Sequence, residues 1–354
     1  MDQALSPESD LCMIPAGPPP TGTATNFENP ETLVPELVSI STLLMVLVAI
    51  FTAGRVFANR RNLWWSDYFV IVASILSLAH TGLMLAQTRY ARHQWDVRAC
   101  WYNGTYLKIL FSQEMVASFV LFFSKASIFL LFHQIFEVTR SMRIAIRCGI
   151  IFTALLYVII NIPLCAIFNA PRVGETWGSL ITSGRPQKIV IWAIIQSVLA
   201  IGLDLFILIL PIPIIMKLHL STEKKIRLLA VFTVAVVGVL ACVLSLVYRV
   251  EAIDTNDGTW KYTALLLCNV VETDVAIIVS CTPGFANFTR TYLPRLWLFK
   301  SLRGSDDSCR AGRLKISGTD VLNDSYFLQT KMLAEIGMDM NPASLLPTAE
   351  SGWA

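Results

Sequence analysis

The sequence predicts an all-α membrane protein, built as a bundle of seven transmembrane helices. Hydrophobic residues make up 55% of the 354 residues and charged residues only 15%, whereas a soluble domain carries about a quarter charged residues. The apolar residues also fall into seven long stretches. A stretch of about 20 apolar residues matches the hydrocarbon core of a bilayer, where a helix satisfies its own backbone hydrogen bonds. The stretches lie near 37–58, 67–88, 108–136, 144–168, 189–215, 226–249 and 262–283.

Local signals in several stretches predict where the helices begin, bend or end. The first stretch is the clearest, because it has no charge from Leu37 to Gly54. Pro163 predicts a kink in the fourth stretch, and Pro211 with Pro213 predicts a kink or an end in the fifth. Ser221 is a good N-cap for the sixth. We expect the chain to leave the membrane after Pro283 and Gly284.

The segments outside the stretches predict the domain organisation. Residues 1–35 are polar and rich in proline, which predicts a disordered extracellular tail before a seven-helix domain at 36–285. Aromatic and basic residues alternate in 286–303, which predicts an amphipathic segment in the membrane interface. Residues 304–354 are polar and predict a disordered cytosolic tail.

The basic residues predict the orientation of the bundle. Fourteen Lys and Arg residues flank the helix ends on one side, with Arg55 counted in the connection after the first stretch, and eight flank the other. Because the side richer in Lys and Arg stays in the cytosol, we expect the N-terminus outside and the C-terminus in the cytosol. Asn103-Gly104-Thr105 is a glycosylation sequon that this topology places outside. The basic residues sit in short loops beside membrane segments, so nothing indicates nucleic-acid binding.

The cysteines on the outer side predict one disulfide. Cys100 can pair with Cys165 or with Cys12, and the sequence alone leaves the partner open. No CxxC or Cys/His spacing typical of a metal site occurs in the sequence, so we expect no metal.

One buried ion pair is predicted from depth along the helices. With a rise of about 1.5 Å per residue, Lys125 lies about 25 Å into the third helix and Asp204 about 22 Å into the fifth. Because a lone charge in the hydrocarbon is costly, we expect the two to pair. The pair is either a structural contact or a switch that breaks on activation.

A second group of polar residues lies in the outer half of the predicted bundle. Glu114, Glu272 and Arg249 could line an outward-facing pocket. Glu272 and Asp274 are two residues apart and cannot share a helix face. The alternatives are a hydrogen-bond network with no ligand, a ligand or substrate site, and proton handling. The candidate ligand-binding residues are Gln113, Glu114, Gln196, Arg249, Glu272 and Asp274.

Several short blocks, taken together and in order, resemble the fungal rhodopsin-domain family of integral membrane proteins over about residues 37–290. That family includes receptor-like pathogenicity proteins and membrane proteins encoded in mycotoxin gene clusters. One departure is Phe168-Asn169-Ala170-Pro171, where the family commonly has a cysteine before the proline. The blocks are Trp64 to Tyr68, His93 to Val97, Ser124 to Ile128 with Gln134 to Phe136, Asp204 to Pro213 with Lys217 to Ser221, Lys225 to Phe232, and Glu272 to Pro283.

The resemblance implies a receptor-like protein of the plasma membrane or an endomembrane, with a link to secondary metabolism or host interaction. It would bind a small or apolar ligand and contact a cytosolic signalling partner through its basic 3–4 and 5–6 loops. The alternative is a membrane-embedded enzyme, an acid-catalysed cyclase or isomerase of a natural-product or mycotoxin pathway, with Glu114, Glu272 or Asp274 as proton donor. A transporter is disfavoured because no inverted repeat is detectable. The seventh helix has no lysine after Lys261, so we expect neither retinal nor another cofactor.

Overall fold

The computed structural model describes residues 11–136, 140–213, 222–253 and 256–292. Seven helices in these ranges are long and apolar enough to cross a bilayer, which confirms the predicted fold class. We call the end of the bundle where α1 begins the N-terminal face, and the opposite end the C-terminal face. The helices are α1 (Val34–Asn59), α2 (Trp65–Leu85), α3 (Gly104–Phe136), α4 (Arg140–Asn169), α5 (Val190–Ile209), α6 (Thr222–Glu251) and α7 (Gly258–Tyr292).

Helices α3 and α7 form the centre of the bundle. In the most apolar part of α7, 67% of the residues are buried, compared with 50% in α3 and 22% in α1, α5 and α6. Helix α7 packs against α1, α2, α3 and α6, while α5 packs against α6. Many apolar side chains on the outer helices are exposed, among them Leu43, Ile75 and Ile191. Such a surface suits lipid as the surrounding solvent.

Prolines change the geometry of α4 and the end of α5. Within α4, a π-helical turn at Leu155–Asn161 comes just before Pro163. Pro163 has no N–H to donate to the preceding turn, so the regular helical hydrogen bonds are interrupted there. Helix α5 ends at Ile209, shortly before Pro211, as a following proline disfavours helical geometry.

Pro283 does not end α7, which continues to Tyr292. The helix therefore continues past Pro283 and Gly284, where we expect the chain to leave the membrane. The continued helix packs on α1, where the ring of Phe285 stacks on Phe51 with centroids 4.3 Å apart. Close packing of this kind stabilises a helix that has lost one backbone hydrogen bond. Most of the predicted amphipathic segment, 293–303, and all of 304–354 lie outside the described residues.

Residues 11–33 differ from the predicted disordered tail, because they lie against the loop that follows α2. The N–H of Ala16 donates to the carbonyl of Val97 at 2.8 Å, and the N–H of Leu33 donates to the carbonyl of Ala91 at 2.9 Å. A disulfide between Cys12 and Cys100 fixes the start of this segment. The segment therefore forms an ordered cap on the N-terminal face.

Of the two pairings that the sequence left open, Cys100 bonds to Cys12 and not to Cys165. Cys165 is fully buried within α4. Its Sγ points into the bundle, 3.9 Å from Oε1 of Glu114. Rotation of α4 thus directs this thiol away from the loop that carries Cys100.

A histidine joins the loop after α2 to the start of α7. The ring of His93 lies between the rings of Trp95 and Trp260, with centroid distances of 4.6 Å and 4.1 Å. Its Nδ1 lies 2.6 Å from Oδ2 of Asp257. The N–H of Gly258 donates to the side-chain oxygen of Gln94 at 2.7 Å. These contacts hold the loops over the end of the helix bundle.

Replacing Gly149 with Ala is expected to destabilise the bundle. A Cβ atom at Gly149 would lie 2.5 Å from ring atoms of Phe129, which is fully buried where α3 meets α4. Overpacking of this kind costs about 1–3 kcal/mol. Gly202 in α5 is the matched control, because a Cβ there meets nothing within 4 Å. Thermal unfolding in one detergent checks this, and equal melting temperatures for the two variants would contradict it.

Candidate functional site

An ion triad lies at the centre of the bundle. The Nζ atom of Lys125 in α3 lies 2.7 Å from Oδ1 of Asp204 in α5 and 2.8 Å from Oε1 of Glu272 in α7. Lys125 is 1% exposed. The predicted Lys125–Asp204 ion pair is therefore confirmed, and Glu272 is its third member. Three helices meet through these side chains.

Two further side chains lie beside the triad. The ring of Tyr157, in the π-helical turn of α4, has its centroid 5.6 Å from Nζ of Lys125. Possible ligand atoms of Asp204, Cys242 and Glu272 all lie within 4.8 Å of one another, a grouping that could hold a metal ion. The ammonium group of Lys125 already neutralises one of the two carboxylates, so a metal would have to compete with it. The arrangement fits a lysine better than a metal.

A cavity of about 50 Å³ extends from the triad toward the N-terminal face. We call it the central cavity. A buried water molecule needs about 10–15 Å³, so the cavity has room for about four waters. Of the six candidate ligand-binding residues, it is lined by Glu114, Gln196, Arg249 and Glu272.

The other two candidate residues, Gln113 and Asp274, are not part of the central cavity. The side-chain oxygen of Gln113 accepts a hydrogen bond from Gln87, and Oδ1 of Asp274 accepts one from Ser77 at 2.5 Å. The one-residue step from Glu114 to Gln113, and the two-residue step from Glu272 to Asp274, turn these side chains to another side of their helices. The prediction that Glu272 and Asp274 face different ways is confirmed.

The sequence reading missed Asn161, which ties three helices together beside the cavity. Its amide nitrogen donates to Oγ of Ser118 in α3 at 2.8 Å, and its oxygen accepts from Nε1 of Trp192 in α5 at 2.8 Å. Asn161 is 1% exposed and ends the π-helical turn before Pro163. A buried amide two residues before a proline in an apolar stretch is the signal that could have found it.

A second, apolar cavity lies on the other side of the triad. Its volume is about 40 Å³, and Asp204 and Glu272 line it together with apolar side chains such as Ile128 and Val275. Glu272 lines both cavities. The triad therefore separates a polar cavity from an apolar one, and a movement of Glu272 would affect both.

A second buried ion pair lies near the C-terminal face. Arg55, which the sequence placed among the loop charges, is 1% exposed. Its Nε donates to Oδ1 of Asp67 at 2.7 Å, and another guanidinium nitrogen donates to Oγ of Ser66 at 2.8 Å. A third contact is to the backbone carbonyl of Ser280. This cluster joins α1, α2 and α7.

Comparisons with known proteins agree with this architecture. The family model of the fungal rhodopsin domain matches residues 52–291, more than half of the chain. A SAT4 family membrane protein from Emericella nidulans is 27% identical over 188 residues, which cover 53% of this chain and 47% of that protein. The chain thus aligns with about half the length of this relative.

Proposed function

Because the chain belongs to the fungal rhodopsin domain family of multi-pass membrane proteins, we propose that it is a receptor-like protein that binds a small ligand in the central cavity. The observation that supports this is the double role of Glu272, which lines the cavity and pairs with Lys125. A ligand in this cavity lies beside Glu272 and can shift the balance between two arrangements of the triad. Ligand binding on the N-terminal side of the triad would then change the helix arrangement at the C-terminal face.

The test needs no ligand, because breaking the triad should mimic the bound state. Spin labels are introduced as unnatural amino acids at Tyr68 on α2 and Val234 on α6, two exposed positions. Their distance distribution is measured in nanodiscs for the parent protein and for Asp204→Asn. We expect the variant to shift the distribution toward a second distance. Identical distributions in the two proteins would refute coupling through the triad.

We also propose that the N-terminal face lies outside the cell or in the lumen, as the charge distribution predicts. The disulfide between Cys12 and Cys100 supports this, because such bonds persist in oxidising compartments. Asn103 lies at the same face and its side chain is exposed.

Endoglycosidase treatment of the expressed protein is expected to increase its gel mobility, because Asn103 carries a glycan in this orientation. Asn103→Gln should remove the effect. Asn287→Gln is the matched control, since Asn287 begins another sequon near the opposite end of α7. If Asn287→Gln loses the mobility shift and Asn103→Gln keeps it, the proposed orientation is contradicted.

A membrane-embedded enzyme is the second candidate, because the carboxyl groups of Glu114 and Glu272 line one cavity. Its test is conversion of a lipophilic precursor by membranes that contain the chain. The size of the cavity favours the receptor-like proposal, because pockets that hold drug-sized ligands measure about 300–1,000 Å³, well above the 50 Å³ of this cavity.

We also propose a cytosolic signalling partner and a link to secondary metabolism or host interaction. The first is supported by the basic residues of the 3–4 and 5–6 connections, whose residues 137–139 and 214–221 lie outside the described part of the chain. The second rests on the family resemblance alone.

A further inference from the structure

Two opposite charges face the central cavity without touching each other. Glu114 in α3 and Arg249 in α6 both line it. Among the described residues, neither Glu114 nor Arg249 has an oppositely charged side-chain atom within 4.0 Å. The Nε atom of Arg249 is buried and has no hydrogen-bond partner in the described part of the chain. Charges inside a helix bundle are normally paired, so this gap is a place for a ligand.

The charges around the gap restrict the ligand's own charge. In their ionised forms, Glu114, Asp204 and Glu272 carry three negative charges, while Lys125 and Arg249 carry two positive ones. A simple anion would pair with Arg249 but add to the excess negative charge. A simple cation would leave Arg249 unpaired. A zwitterion satisfies both sides, because its carboxylate suits the planar guanidinium group and its ammonium suits Glu114.

The size of the cavity restricts the ligand further. About four waters fit into 50 Å³, and a molecule of similar bulk has only a few non-hydrogen atoms. Glycine, with five, is of this size. A branched amino acid such as leucine requires the helices to move apart.

We infer that the central cavity is a binding site for a small zwitterion of the α-amino acid type, held between Arg249 and Glu114. This inference rests on the proposed receptor-like function and names the class of its ligand. The carboxylate of the ligand accepts hydrogen bonds from Arg249. Its ammonium donates to Glu114.

The experiment measures binding of radiolabelled glycine to the full-length chain in nanodiscs by scintillation proximity. Acetate, methylamine and leucine compete at matched ionic strength. We expect saturable glycine binding, with acetate and methylamine competing at least about tenfold more weakly, because each lacks one charge-assisted contact. Arg249→Gln and Glu114→Gln should each weaken glycine binding by about tenfold or more. Glu251→Gln is the matched control, since Glu251 lies in the same turn of α6 as Arg249 and pairs with Lys261 at the surface.

Several results would overturn the inference. They are an absence of saturable glycine binding, equal competition by acetate and glycine, and wild-type affinity in Arg249→Gln. The competition series uses the parent protein alone, so it decides the question even where a variant fails to fold. The spin-label experiment uses no ligand. If glycine does not bind but the label distance shifts in Asp204→Asn, only the ligand class is refuted. If glycine binds but the label distance does not shift in Asp204→Asn, only the coupling through the triad is refuted.

Discussion

Replacing Lys125 with Met is expected to lower the free energy of unfolding by about 3–5 kcal/mol. The substitution keeps much of the side-chain volume but removes the ammonium group that Asp204 and Glu272 share at 2.7 Å and 2.8 Å. Two neighbouring carboxylates then remain inside the bundle without a cation. The measurement is reversible unfolding in mixed micelles, followed by fluorescence.

The matched control for this variant is Lys261→Met. Lys261 also pairs with a glutamate, Glu251, but both side chains are partly exposed, at 28% and 47%. Exposed ion pairs contribute about 0–1 kcal/mol. Equal losses for Lys125→Met and Lys261→Met would show that the triad does not stabilise the bundle.

Replacing Arg55 with Met is expected to have an effect of similar size, about 3–5 kcal/mol, near the C-terminal face. Asp67 is fully buried and would lose its cation. Oγ of Ser66 and the carbonyl of Ser280 would each lose a donor. Unfolding under the same conditions measures the loss.

The exposed Arg61, in the same connection between α1 and α2, gives the control for Arg55. Surface substitutions usually change stability by less than about 0.5 kcal/mol. We therefore expect Arg61→Met to unfold like the parent protein. A loss for Arg55→Met no greater than that for Arg61→Met would contradict the role assigned to the Arg55 cluster.

The fold and two of the three members of the triad could be predicted because they depend on one-dimensional quantities. Hydropathy along the chain gives seven helices, and rise per residue places Lys125 and Asp204 at matching depths. Glu272 could not be assigned to this pair, because its contact depends on the rotation of α7 about its own axis. Hydropathy does not determine that rotation in a helix that is buried on most sides.

Other misses have equally local causes. Gln113 and Asp274 were grouped with the cavity by depth, yet they face Gln87 and Ser77 on another side of their helices. Asn161 owes its position to a π-helical turn, which inserts an extra residue into the helical repeat and changes the direction of the side chains around it.

Arg55 was counted as a loop charge because it follows the apolar part of the first stretch. Helix α1 ends at Asn59, close to the predicted end, and contacts with α2 and α7 bury Arg55 inside the bundle. The ordered cap at residues 11–33 depends on pairing with a distant loop and on the disulfide of Cys12. Composition alone does not reveal such pairing.

The most direct test of the account is the stability of a compensated variant that carries Lys125→Met, Asp204→Asn and Glu272→Gln. If Lys125 neutralises these two carboxylates, removing their charges should recover at least about 2 kcal/mol of the stability lost in Lys125→Met. The free energies of unfolding of the single and the compensated variant are compared in the same micelles. If the losses from the three substitutions simply add, so that the compensated variant is less stable than Lys125→Met, then Lys125 does not neutralise the two carboxylates and the account is contradicted.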